Sequence, residues 1–172
     1  MKNILILNTG GTFNKVYDKT TGVLNVSQDN KIIKKVLKKC SITYIDIESV
    51  FFKDSLDITN EDRQELSKRI NNAKADKIIV VHGTDTMDLS AIFTAKYLKK
   101  KTVVFTGAMV PYSIDSVEAT SNLSMAIGFL QNEELPSGVY ISMHGMVQRH
   151  DKIRKNRLLG IFESKLGAIL EN

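Results

Sequence analysis

The hydrophobic positions of this chain follow two periods in turn. Ile4–Leu7, Lys77–Val81, Thr102–Phe105 and Gly138–Met143 are short apolar runs bounded by polar residues or glycine, and they read as buried strands. Between them, apolar residues recur at helical spacing. Asp29–Lys39 puts Ile32, Ile33, Val36 and Leu37 on one face. The segment after Thr59-Asn60-Glu61-Asp62, which has the form of a capping box, buries Leu66, Ile70 and Ala73. A helix over 86–100 is expected to turn Leu89, Ile92, Phe93 and Tyr97 inward, and one capped by Asp115 or Ser116 buries Ala119, Leu123, Ala126, Ile127 and Leu130.

The remaining segments are less regular. Thr43–Ile47 alternates and is β-branched, so it reads as a strand, with Val50–Phe52 as a short edge strand beyond it. A polar turn, Asp54-Ser55-Leu56-Asp57, follows. Residues 13–28 form a long polar stretch that predicts a loop, and its start beside Thr12 suggests a lid. The tail from Gly145 is basic and yields no assigned element. Strands alternating with helices predict an α/β fold: a three-layer, doubly wound, mostly parallel sheet of the flavodoxin-like kind, in one domain.

Composition narrows the class. A chain of 172 residues, 42% hydrophobic and 25% charged, suits one soluble domain with a sizeable core. No apolar run approaches the length of a membrane span, and the run after Lys2 is too short for a signal-peptide core. One cysteine, Cys40, excludes an internal disulfide and fits a cytoplasmic setting. The net charge of +5 is spread over several helices among acidic residues, without the interleaved aromatics of single-strand binders. It therefore implies no nucleic-acid partner, and no membrane partner is expected.

Candidate chemistry gathers at strand ends. Thr9-Gly10-Gly11-Thr12 follows the first strand, His82-Gly83-Thr84-Asp85-Thr86 a second, and Thr106-Gly107-Ala108-Met109 a third. The carboxyl ends of parallel strands lie on one side of a sheet, where open α/β folds place ligands. Thr84 and Asp85 also precede a helix, where outward N–H groups favour developing negative charge. The first motif lacks the three-glycine spacing of a dinucleotide site, which argues against a dehydrogenase. His82 reads as a packing residue, and His144 and His150 show no metal-ligand spacing.

Taken jointly, Thr9–Thr12, His82–Met87, Lys101–Met109, Asp115 and Asn122-Leu123 resemble, in order, the signature of the bacterial-type L-asparaginase family. The resemblance covers that family's N-terminal domain over nearly the whole of residues 1–172, and implies that its smaller C-terminal domain is absent. It further implies an L-asparaginase that converts asparagine to aspartate and ammonia through a threonine acyl-enzyme, without cofactor or metal. Thr12 matches the attacking threonine and Thr84 the second catalytic threonine. Lys101 matches the lysine that, with Asp85, tunes the hydroxyls. Gly11, Ser55, Gly83, Thr84, Asp85 and Ala108 fall at substrate-binding positions. The resemblance also implies a homodimer or homotetramer.

The residues are chemically apt on their own terms. A threonine hydroxyl is a weak nucleophile until a partner takes its proton. A lysine can do so when neutral; burial favours that form and a nearby carboxylate opposes it, a balance the sequence leaves open. Two departures stand out. Leu56 occupies a position where many members carry glutamine. Gly22-Val23 occupies the register of the family's lid tyrosine, which leaves Tyr17 as the candidate in its place. With the absent domain, these departures predict weak asparagine affinity. A non-catalytic amino-acid-binding module and a glutaminase or amidotransferase component are the alternatives.

Overall fold

The computed structural model describes residues 4–165, and Lys2 lies outside them. A six-stranded sheet forms the centre. β1 (Ile4–Gly10) lies between β4 (Asp46–Lys53) and β5 (Lys77–Val81), and β6 (Thr102–Thr106), β7 (Gly138–Met143) and β8 (Met146–Arg149) continue outward in that order. The pairings are parallel except that of β7 with β8. The five parallel strands thus run in the order 2-1-3-4-5, which is the flavodoxin-like arrangement, with its switch point between β1 and β5.

Helices cover both faces because the strands are apolar on both. Ile4, Ile6, Ile79 and Val104 face α1 (Lys31–Lys39) and α4 (Ser116–Gln131), whose Ile33, Val36, Leu123 and Ile127 are buried against them. Leu5, Leu7, Ile78 and Phe105 face α2 (Asn60–Asn72) and α3 (Met87–Tyr97) through Leu66, Ile70, Met87 and Ala91. Thr59 and Asp62 close the expected capping box, and the Asp115 side chain accepts the Val117 N–H at the start of α4.

Four expectations are corrected. Residues 15–26 are not a loop but an antiparallel hairpin, β2 (Lys15–Asp18) with β3 (Val23–Val26). The two short strands expected over 43–52 are one edge strand, β4. On α3, Leu89, Ile92 and Tyr97 are about half exposed, while Met87, Ser90, Ala91 and Thr94 are buried. Small residues line that face because the helix lies close to the sheet and α2. The tail from 145 holds β8 and a second hairpin, β9 (Ile153–Asn156) with β10 (Ile161–Ser164), in which Ile153 and Phe162 are anchored in the core.

Candidate active site

The loops leaving β1 and β5 touch through backbone. A methyl group on Gly11 (φ 73°) would overlap the Gly83 backbone, and one on Gly83 would lie 2.6 Å from Ser55 Cβ. Thr12 and Thr84 are the next residues along, so two glycines without side chains bring both threonines and Ser55 to the switch point. Thr12 opens a short 3-10 turn and is half-buried. Ser55, itself buried, accepts the Asp85 N–H on Oγ (3.2 Å), and its carbonyl accepts the Thr86 hydroxyl (2.7 Å).

A buried amide network shapes the first loop. Asn8 Oδ1 accepts from Gly10 N and Asn14 Nδ2, both at 3.0 Å, and Asn14 Nδ2 also reaches the Gly10 carbonyl at 2.8 Å. Asn8 Nδ2 in turn donates to Asn30 Oδ1 at 2.8 Å. The register of β1 against β4 slips between Asn8 and Gly10, which frees the backbone to turn there.

The lysine that the structure places beside Thr84 and Asp85 is Lys155, not Lys101. Lys155 Nζ donates to Thr84 Oγ1 at 2.9 Å and to Asp85 Oδ1 at 2.7 Å, from a side chain only 8% exposed. Lys101 stands before the amino end of β6, whereas Thr84 follows the carboxyl end of its neighbour β5. A five-residue strand, about 17 Å long, separates those ends. The Lys101 ammonium instead donates to the carbonyls of Ala73 and Ala75, each at 2.8 Å, where α2 ends and a cation suits the dipole. Lys77, at the same end of β5, donates likewise to the carbonyls of Leu130 and Asn132. Two strand-initial lysines are therefore helix caps.

Other expected residues fall at varied distances from this centre. Gly107 packs against the His82 carbonyl, so the third strand end does join the other two. The Ala108 side chain is buried in the core on the α1 and α4 face. Tyr17 lies on β2, paired with Leu24, and is 60% exposed. Leu56 is 73% exposed. Lys155 and the Asn8–Asn14 pair escaped the sequence reading. The available signal for Lys155 was Ile153-Arg154-Lys155, a brief alternation that makes lysine an inward position only once Ile153 is known to be buried.

His82 is fully buried, packs edge-on against Phe105, and donates from Nδ1 to its neighbour's carbonyl at 2.7 Å. Burial disfavours its charged form and pushes its pKa down to about 4. Between about pH 4 and 6.5 the unfolded chain therefore binds a proton that the native chain refuses, and stability falls on acidification. The expected loss is on the order of 3 kcal/mol across that window. Urea midpoints at about pH 7 and about pH 4.5 would reveal it, and His82→Gln should flatten the slope.

Fold and site together define a doubly wound α/β protein with hydroxyl, carboxylate and ammonium groups meeting at its switch point. The chain belongs to the asparaginase family: the family model "Asparaginase, N-terminal" matches residues 3–164. It is 34% identical over 139 residues to L-asparaginase 2 of Bacillus subtilis, an alignment covering 74% of this chain and 36% of that protein. It is 31% identical over 167 residues to a subunit of the glutamyl-tRNA(Gln) amidotransferase of Archaeoglobus fulgidus, covering 91% and 40%. Among solved structures, a probable cytoplasmic L-asparaginase of Campylobacter jejuni matches with TM-score 0.80 at 29% identity, covering 95% of this chain and 53% of that one. The chain thus spans well under half the length of the two curated relatives. Among the described residues, no helix is long and apolar enough to cross a membrane.

Proposed function

We propose that the protein is an amidohydrolase that converts L-asparagine to L-aspartate and ammonia, with Thr12 as nucleophile. The observation that carries this reading is the pair of hydrogen bonds from Lys155 to Thr84 Oγ1 and Asp85 Oδ1, beside the loop that bears Thr12. Thr12 Oγ attacks the side-chain amide carbon. The carbon–nitrogen bond breaks as Thr84 Oγ1 takes the Thr12 proton and passes its own to the departing nitrogen, which leaves as ammonia, while the Lys155 ammonium holds and polarises Thr84 Oγ1. Because Lys155 donates to Thr84 Oγ1, the Thr84 hydroxyl hydrogen points elsewhere and is available for that transfer. Water then cleaves the ester and returns a proton to Thr12. Asp85 engages Lys155 through one oxygen while its side chain stays 45% exposed, which leaves a carboxylate face for the substrate ammonium. Ser55 and the Gly11 and Gly83 backbone complete the substrate's surroundings in this reading, with no cofactor in the reaction.

Steady-state ammonia release tests it. Wild-type protein should release ammonia from asparagine, and Thr12→Ala should lower kcat by about 10²-fold or more. Equal background rates in both would favour the binding module. The likeness to an amidotransferase component supports glutamine as a second substrate to assay, since one extra methylene is discriminated only about 10–200-fold.

A further inference from the structure

Lys155 is carried by the β9–β10 hairpin, outside the six-stranded sheet, so its reach to Thr84 depends on how that hairpin is held. Besides the burial of Ile153 and Phe162 in the core, two hydrogen bonds tether the hairpin. Near the tip, Arg157 donates to the Asp85 carbonyl at 2.8 Å. On the far strand, Phe162, the residue paired with Lys155 across the hairpin, donates its N–H to His144 Nδ1 at 2.9 Å. The two aromatic rings meet nearly perpendicular, with centroids 6.0 Å apart.

His144 is itself fixed from three directions. It sits in the turn between β7 and β8 at φ 50°, and its N–H donates to Asn122 Oδ1 at 3.0 Å. Since Nδ1 accepts an N–H, the ring hydrogen is on Nε2, which donates to Glu118 Oε1 at 3.1 Å. Glu118, in the first turn of α4, also accepts the N–H groups of Met109 (2.9 Å) and Val110 (3.0 Å), in the loop after β6. One imidazole therefore joins the start of α4, the Ala108–Val110 loop and the strand opposite Lys155.

We infer that His144 is a positioning residue: it holds the β9–β10 hairpin at Phe162 and thereby sets the reach of Lys155 to Thr84 and Asp85. The inference rests on the amidohydrolase reading only in so far as activity is its readout. Two substitutions that both tolerate a positive φ separate its parts. His144→Asn places a carbonyl oxygen near the position of Nδ1 and keeps an acceptor for Phe162; His144→Gly removes it. His144→Gly should speed hydrogen exchange at the Phe162 amide by about tenfold and lower kcat by about tenfold or more, and His144→Asn should restore both. If His144→Gly does not fold, His144→Gln, whose amide extends one bond too far to replace Nδ1, takes its place. Unchanged exchange and kcat in the acceptor-deleting variant, or equal losses in His144→Asn, would overturn the inference. If wild-type protein releases no ammonia, the functional reading fails, while the Phe162 exchange rates still decide whether His144 holds the hairpin.

Discussion

Replacing Lys155 with methionine is expected to lower kcat for asparagine hydrolysis by about 10²–10³-fold, the span associated with losing one preorganised donor at a reacting group. Methionine keeps much of the apolar stem of a side chain that is almost wholly buried, so the fold should survive. What goes is the donor to Thr84 Oγ1 and the cation opposite Asp85. The informative control is Lys101→Met. There the loss is of two hydrogen bonds to the carbonyls of Ala73 and Ala75, at the end of α2. Leaving such acceptors unpaired costs about 1–3 kcal/mol, with no reason for kcat to move more than about twofold. Thermal melts and steady-state ammonia release on the two variants should give opposite patterns. If Lys101→Met abolishes turnover and Lys155→Met does not, the site assigned here is wrong.

These two lysines also show what the sequence made legible. The central strands and four helices could be read because their apolar runs and helical periods were long, and because caps at Thr59 and Asp115 marked two helix starts. The strand-end motifs carrying Thr12 and Thr84 could be read because parallel strands share a polarity. Lys101 was misplaced because a motif match gives proximity along the chain, while the physics of the site depends on which end of β6 a side chain occupies. Lys155 was missed because a four-residue strand in a basic tail has too few positions to establish alternation. The hairpin over 15–26 was hidden for a related reason. Its four-residue strands are too short to establish alternation, and the polar turn Lys19-Thr20-Thr21-Gly22 between them gives the stretch the look of a loop. On α3 the period was right and the phase was wrong: large residues were assumed to be inward, but the close packing of that helix selected alanine, serine and threonine.

Among the described residues, Gly11→Ala should be the most damaging single-methyl change. The backbone at Gly11 has φ 73°, a region where an ordinary side chain is strained by about 1 kcal/mol or more. The added methyl would also overlap the Gly83 backbone and stand 2.9 Å from the His82 carbonyl carbon. Neither neighbour can swing aside as a flexible side chain would. Gly83 is itself pressed against Ser55, and His82 is locked by its N–H to the Thr106 carbonyl at 2.9 Å. Relief therefore has to come from moving one whole loop away from the other, which separates Thr12 from Thr84. A combined cost of about 2–4 kcal/mol follows from strain and overpacking, or a Tm lower by about 6–12 °C for a domain of this size. The predicted signature is a kcat loss that persists well below the lowered Tm, because the surviving fold holds its two threonines apart. Calorimetry combined with ammonia release at about 15 °C, near the temperature of greatest stability for most domains, would measure both. Full activity at that temperature would mean that the loops need not touch for catalysis, and that the glycine contact serves stability alone.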